Sequence, residues 1–212
     1  MQVENGFVYE KTDIDNYSIT LPTILWKYGI SKNVECRLIT EANTVKSFDN
    51  KISGFVPTIV GFKISVSEEK GFIPVTGFIG HLTLPNAASS NFKATYFAPS
   101  FRFNMQHTLS KKITLAYNLG ADWDGEIPEP TFIYTLTAGI TITEKLGTYI
   151  ELYGFAPQNN VTDHRADGGF TYLITNDVMV DVSAGFGITK QSPNSYYALG
   201  FSYRFNVKKI KK

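Results

Sequence analysis

Between Val178 and Phe205 the chain alternates in a way that only one backbone conformation can use. Val178, Val180, Val182, Ala184, Phe186 and Ile188 fall on one side, and Met179, Asp181, Ser183, Gly185, Gly187 and Thr189 on the other. After a break from Lys190 to Ser195 the rule resumes: Tyr197, Leu199, Phe201, Tyr203 and Phe205 oppose Tyr196, Ala198, Gly200, Ser202 and Arg204. A period of two belongs to a β-strand.

The chemistry of the two faces narrows the choice of sheet. One face is bulky and apolar. The other is Gly, Ser and Ala with single charges at Asp181 and Arg204, whereas the wet face of a soluble sandwich usually carries Lys, Glu and Thr. Small, polar, sparsely charged side chains suit the inside of a closed barrel, where they share a limited lumen. The apolar face is then left for lipid, and the expected fold is all-β: a transmembrane antiparallel up-and-down barrel.

Composition is compatible with this. The 212 residues are 43% hydrophobic, yet the mean hydropathy is -0.09, because alternating strands average to near zero in any window. No apolar run approaches the roughly 18 residues of a spanning helix. Sixteen Phe and twelve Tyr against two Trp suit interfacial girdles as well as a core. A net charge of +1 and a pI near 7.7 carry no nucleic-acid signature. A single cysteine, Cys36, excludes an intrachain disulfide framework and a cysteine-rich metal site, and no cofactor is expected. Met1 is followed by QVENGFVYE with no basic and then apolar leader. The expectation is a mature form whose leader lies outside this sequence, with a cytosolic protein as the competing explanation.

Twelve strands are expected, at roughly 3–11, 17–28, 34–44, 54–66, 72–84, 93–107, 113–124, 131–142, 148–156, 165–174, 178–189 and 196–206. Most have about the 9 to 11 residues a tilted strand needs to cross a bilayer. A recurring motif of apolar, Ser or Thr, two polar, apolar supports the spacing. It occurs at Ile30–Val34, Leu109–Ile113, Ile142–Leu146 and Ile174–Val178, with a looser copy at Val66–Glu69. These read as tight turns on one side of the membrane. The longer connections, Thr12–Asn16, Asn43–Ser53, Pro85–Asn91, Gly125–Pro130, Pro157–His164 and Lys190–Ser195, read as extracellular loops. Two strands fit less cleanly, since strict alternation turns Pro22, Ile24 and Trp26 inward in one, and Val75 and Ile79 in the other. Residues 1–206 are expected to form one barrel domain, with 207–212 a basic tail of Lys208, Lys209, Lys211 and Lys212.

Several stretches, LPTILWKYGISKNVECRLITE (21–41), SKKITLAYNLG (110–120), DGGFTYLITNDVMVDVSAGFGIT (167–189) and YYALGFSYRF (196–205), resemble the outer-membrane transporters grouped as the phenol-degradation MetA-pathway family. The resemblance implies a bacterial outer-membrane barrel that passes small solutes, aromatic or otherwise apolar ones included, with no catalytic residues to carry over. Such barrels usually end on an aromatic residue; here Asn206 to Lys212 follow Phe205.

What chemistry there is lies in the inward charges, because an Arg or Lys facing the hydrocarbon midplane costs roughly 2 to 4 kcal/mol. A lumen ion-pair network is expected from Glu4, Glu35, Arg37, Lys63, Arg102, Glu151, Asp181 and Arg204. Within it Arg204 should stand beside Asp181 and Glu4, and Lys63 beside Glu35 and Arg37. An acidic extracellular mouth is expected from Glu10, Glu41, Asp122, Asp124 and Asp167, with little positive charge nearby and a mild preference for cations. The bland alternative is that these charges satisfy one another and plug the barrel.

Catalysis is not expected. His81 could face the lumen, His107 adjoins a turn and reads as interfacial, and His164 is expected in a loop. Asp163, His164 and Asp167 in a loop are a weak metal signal, and Gly168-Gly169 makes room for a neighbouring aromatic or a strand bend. The leading reading is a passive channel in a Gram-negative outer membrane, with outer-membrane lipid and a small-molecule solute as partners. A closed barrel serving as membrane anchor or partner of another envelope protein is the alternative. An intrabarrel lipid-modifying enzyme and a soluble ligand-binding barrel follow behind.

Overall fold

The computed structural model describes residues 1–205, so the Lys-rich tail lies outside the described residues. The alternating segments form thirteen strands: β1 (Gln2–Lys11), β2 (Asn16–Gly29), β3 (Val34–Ser47), β4 (Asn50–Phe55), β5 (Ile59–Ser67), β6 (Val75–Thr83), β7 (Ala98–Thr108), β8 (Ile113–Asp122), β9 (Thr131–Thr141), β10 (Leu146–Pro157), β11 (Asp163–Thr175), β12 (Val178–Gly187) and β13 (Ser195–Arg204). Each pairs antiparallel with its neighbours, and β1 pairs with both β2 and β13, so the sheet closes on itself. β4 and β5 share one place in the wall, because both pair with β3 on the same side, β4 above β5. The ring therefore has twelve staves.

Closure decides where side chains go. Phe186, Leu199 and Phe201 are 58%, 60% and 42% exposed on the outside. Their neighbours Gly185 and Ser202 are buried. A belt of bare Phe, Leu, Ile and Tyr around a molecule is stable in hydrocarbon and not in water. At roughly 25 cal/mol per Å², covering such side chains with acyl chains contributes on the order of 1 to 2 kcal/mol each. The short turns repeat one device. Ser31, Ser110 and Thr143 hydroxyls each accept backbone N–H bonds from the residues two and three ahead, which closes the turn locally.

Three departures from strict alternation have physical causes. In β2 one extra residue is inserted at Leu21-Pro22: Thr20 pairs with Val8 and Asn43, while Thr23 pairs with Gly6 and Glu41. Proline cannot donate to a ladder and sits readily in such a bulge. The bulge resets the phase. Ile24 and Trp26, expected inside, face out instead, with Trp26 37% exposed, and Leu25 and Lys27 turn inward. The expected strand 54–66 is broken at 56–58, and the expected loop 43–53 is a β3–β4 hairpin whose β3 arm stays paired with β2. The expected strand 72–84 starts later, at Val75, because Lys70 and Ile73 close a turn before it, and the expected strand 93–107 starts at Ala98, because 84–97 is a loop containing one 3₁₀ turn at Ser90–Phe92. That turn packs on β4, where the Ser89 hydroxyl accepts the Phe55 amide at 2.9 Å.

Candidate functional site

Residues paired across an antiparallel ladder share a face, so the register maps the lumen. One inward row runs Lys27, Arg37, Gly61, His81, Ser100, Asp122 across β2 to β8. Arg102 stands one place below it, paired with Ile79 and Gly120. A second inward set lies on β10 to β13. Glu151 pairs directly with Asp167, Asp167 with Gly185, Gly185 with Tyr196, and Asp181 with Thr171 and Gly200. Tyr149 and Tyr153 share that face. β6 and β12 are half the ring apart, so a basic wall bearing Arg37, His81 and Arg102 confronts a wall of carboxylates and phenols.

Small inward residues make this packing possible. A Cβ on Gly61 would strike the His81 ring, one on Gly200 the Asp181 carboxylate, and one on Gly169 the Tyr149 ring. The Gly168-Gly169 pair thus makes room for an aromatic, as its sequence suggests.

The charges pair differently from the sequence expectation. Glu4 takes the Lys27 ammonium, which the bulge turns inward. Arg37 reaches Glu35 at 3.5 Å, and Lys63, though directly across from Glu35, makes no ion pair among the described residues. Arg204 pairs in register with Gln2, while Asp181 lies opposite Gly200 and Glu4 opposite Ser202. The expected Arg204–Asp181–Glu4 cluster therefore does not form, since four residues of strand separate Arg204 from the level of Asp181. Asp181 keeps no ion partner among the described residues. Glu151 accepts a hydrogen bond from the Thr137 hydroxyl, and Asp167 one from the Tyr196 hydroxyl.

The mouth is less bare of positive charge than expected. Arg102 reaches Asp122 at 3.2 Å. Arg165 donates from Nη1 to Glu10 at 2.7 Å, and from Nε and Nη2 to Asp163 at 2.8 and 2.6 Å. Its guanidinium also lies 5.1 Å from the centre of the Phe155 ring. Ser192, 5% exposed, donates to Asp163 and to the His164 carbonyl and so ties the β12–β13 loop to the same anchor. Glu41 accepts from Thr23 at 2.7 Å. Asp124 lies in the β8–β9 loop, where the amides of Glu126 and Ile127 donate to it and hold its carboxyl below the usual range.

Sequence reasoning missed Lys27 and Arg165. Pro22 inside a strand was the available signal for the first, and for the second the position two before inward-facing Asp167. His81 faces the lumen, and its Nε2 has no partner among the described residues. His107 faces outward near the lower rim beside Tyr117, 3.3 Å from its hydroxyl. His164 belongs to β11 and not to a loop; it faces outward over Gly154 and shares a hydrogen bond with the Tyr134 hydroxyl. Asp163 and His164 therefore point to opposite faces and cannot close on one metal ion.

The whole barrel has solved counterparts. The COG4313 outer membrane channel from Pseudomonas putida F1 superimposes with a TM-score of 0.71 at 11% identity, covering 96% of this chain and 94% of that one. The KdgM porin in complex with disordered oligogalacturonate gives 0.65 at 11% identity, over 97% and 100%. The CymD monoaromatic hydrocarbon channel gives 0.56 at 10% identity, over 97% and 88%. At such identities these likenesses speak for the fold. No curated protein matches the chain in sequence. Residues 1–205, the whole described barrel, match the family described as "Putative MetA-pathway of phenol degradation", and the chain belongs to that family.

Proposed function

We propose that this chain is a bacterial outer-membrane channel through which small solutes diffuse passively. The observation that carries the reading is the segregation of the lumen. Thr, Ser, Asn, Gly, Tyr and ionisable side chains make up most of the inside, with Leu25, Ile39, Ile59, Ile79, Ile133 and Phe155 among them, while the outside is apolar. A barrel that served only to anchor could fill its interior with hydrocarbon, as small barrels do. Here Arg37, His81, Arg102, Glu151, Asp167 and Asp181 stand inward at mid-strand, where their hydration calls for water in the lumen. The folds it resembles include a porin solved with oligogalacturonate and a monoaromatic hydrocarbon channel, which supports small organic solutes, aromatic ones among them, as the cargo.

The non-enzymatic part of the reading is supported by the placement of the histidines, since the imidazoles of His81, His107 and His164 have no serine or carboxylate partner among the described hydrogen bonds. The alternative, a closed barrel acting as an anchor, draws on the Arg165 anchor at the mouth, which ties β1 to β11 across the lumen edge. Planar-bilayer recording and liposome swelling separate the two. The channel reading expects stepwise conductance and swelling in small sugars or amino acids; correctly folded protein that gives neither would establish the closed barrel.

A further inference from the structure

One cavity of about 210 Å³ inside the lumen joins the two walls. Arg102 on β7 stands at one end and Glu151 on β10 at the other, with Asn118, Ile133, Tyr153 and Phe155 between them. All six side chains belong to the inward rows. Three strand spacings, roughly 14 Å of wall, separate β7 from β10, and Glu151 lies four residues, about 13 Å, below the level that Arg102 shares with Phe155. Both side chains reach into that span, which leaves room for one flat ring and its substituents.

The ends of this cavity are not neutralised by each other. Arg102 is 43% exposed and spends one nitrogen on Asp122, on its extracellular side, so the rest of its fork faces the lumen, with Arg37 and His81 on the same wall. Glu151 stands directly across the ladder from Asp167. Two carboxylates facing each other on one sheet are mutually destabilising, and among the described residues no cation is bonded to either. Asp167 Oδ1 is moreover buried without a partner. One end thus holds an arginine only partly engaged by Asp122 and the other two carboxylates with no cation bonded to them among the described residues, and apolar and aromatic side chains lie between.

We infer that this cavity is a binding station for small aromatic solutes that carry an anionic or acceptor group at one end of the ring and a cationic or donor group at the other. Arg102 takes the carboxylate, Glu151 with Asp167 takes the ammonium, and Tyr153, Phe155 and Ile133 cover the ring. The inference rests on the channel reading for its physiological meaning and names the solute class of that same lumen.

Three probes of matched shape test it: 4-(aminomethyl)benzoate, with both charges, 4-methylbenzoate, with only the anion, and 4-methylbenzylamine, with only the cation. Calorimetric titration of the folded barrel in detergent at low salt reads binding without any need for conduction; transient block of single-channel current reads it in the open pore. The doubly charged probe is expected to bind about tenfold tighter than either singly charged one, one tenfold step corresponding to a single charge-assisted contact. Arg102→Gln should remove the advantage over the amine and Glu151→Gln the advantage over the carboxylate, each variant leaving the other comparison standing. Equal affinity for the three probes, no binding of any, or a preference that survives both substitutions overturns the station. Loss of conductance with the binding pattern intact counts against the channel reading alone.

Discussion

Arg165 offers the sharpest test of how the barrel closes. It lies on β11, while its partner Glu10 lies on β1, 155 residues away in sequence, with β12 and β13 between them. Gly187, directly across the ladder from Arg165, carries no side chain, and the space above it is taken by Ser192 and Pro193. The Arg165 side chain is 16% exposed, as is that of Asp163, and Glu10 is 30% exposed. Breaking a fully buried pair costs roughly 3 to 5 kcal/mol, and exposed pairs are worth roughly 0.2 to 1 kcal/mol. This cluster sits between those limits, so Arg165→Gln should destabilise by about 2 kcal/mol. Glu10→Gln should cost less, because Asp163 still holds the guanidinium. The double variant should recover about 1 kcal/mol relative to the sum of the single effects, which is the coupling of residues in contact. Reversible guanidinium unfolding in lipid vesicles, followed by tryptophan fluorescence, gives all four free energies. Coupling within about 0.3 kcal/mol of zero, the additivity expected of sites that do not touch, would refute the contact and with it the inferred geometry of the mouth.

Further outcomes follow from the same physics. Leu199→Arg, at the centre of β13, should cost roughly 2 to 4 kcal/mol in the same unfolding assay, whereas Tyr203→Arg near the lower rim should cost about 0 to 1 kcal/mol; equal costs would mean that neither face meets the bilayer midplane. Glu10, Glu41, Asp122, Asp163 and Asp167 outnumber Arg102 and Arg165 at the upper end of the lumen. Reversal potentials in a salt gradient should therefore show a mild cation preference that shrinks in Glu10→Gln/Glu41→Gln/Asp167→Asn, and firm anion preference in the parent would contradict it. The Asp124 carboxyl is held low by the Glu126 and Ile127 amides. A depressed folded value stabilises the β8–β9 loop above the ordinary carboxylate range and is lost as pH falls through the folded value. Proteolysis at residues 123–130 should accelerate below about pH 4, near the ordinary Asp value, and Asp124→Ala should make it fast at neutral pH as well. A loop equally resistant at both pH values would show that the cap does not matter.

The strands that sequence describes best are those with one uniformly bulky face. In β12 and β13 every apolar residue from Val178 to Tyr203 keeps its parity, and their in-and-out assignment could be read directly. β2 could not be read that way, because a one-residue bulge at Leu21-Pro22, signalled only by the proline, inverts every later side chain of that strand. This is why Lys27 was unforeseen and Ile24 and Trp26 were assigned to the wrong face. The β3–β4 hairpin, rich in Asn, Lys and Ser, looks like a loop because neither of its faces is uniformly apolar. Ion pairs were the least legible feature. They depend on axial level as well as face, and a strand offset of a few residues, as between Arg204 and Asp181, separates charges that parity alone would put together. Arg165 shows the converse, since a long side chain crosses two strands to a partner that nearest-neighbour reasoning does not consider.

The claim on which all of this depends is that alternate residues of one strand meet water and oil. Single cysteines at Ala198, Leu199, Phe201 and Ser202 of β13, and at Ala116, Tyr117, Asn118 and Leu119 of β8, in a Cys36→Ser background, measure it in proteoliposomes with a membrane-impermeant, charged thiol reagent. The account predicts rapid labelling at 116, 118, 198 and 202 and protection at 117, 119, 199 and 201. Uniform labelling along both strands, or labelling at the odd positions alone, would contradict it.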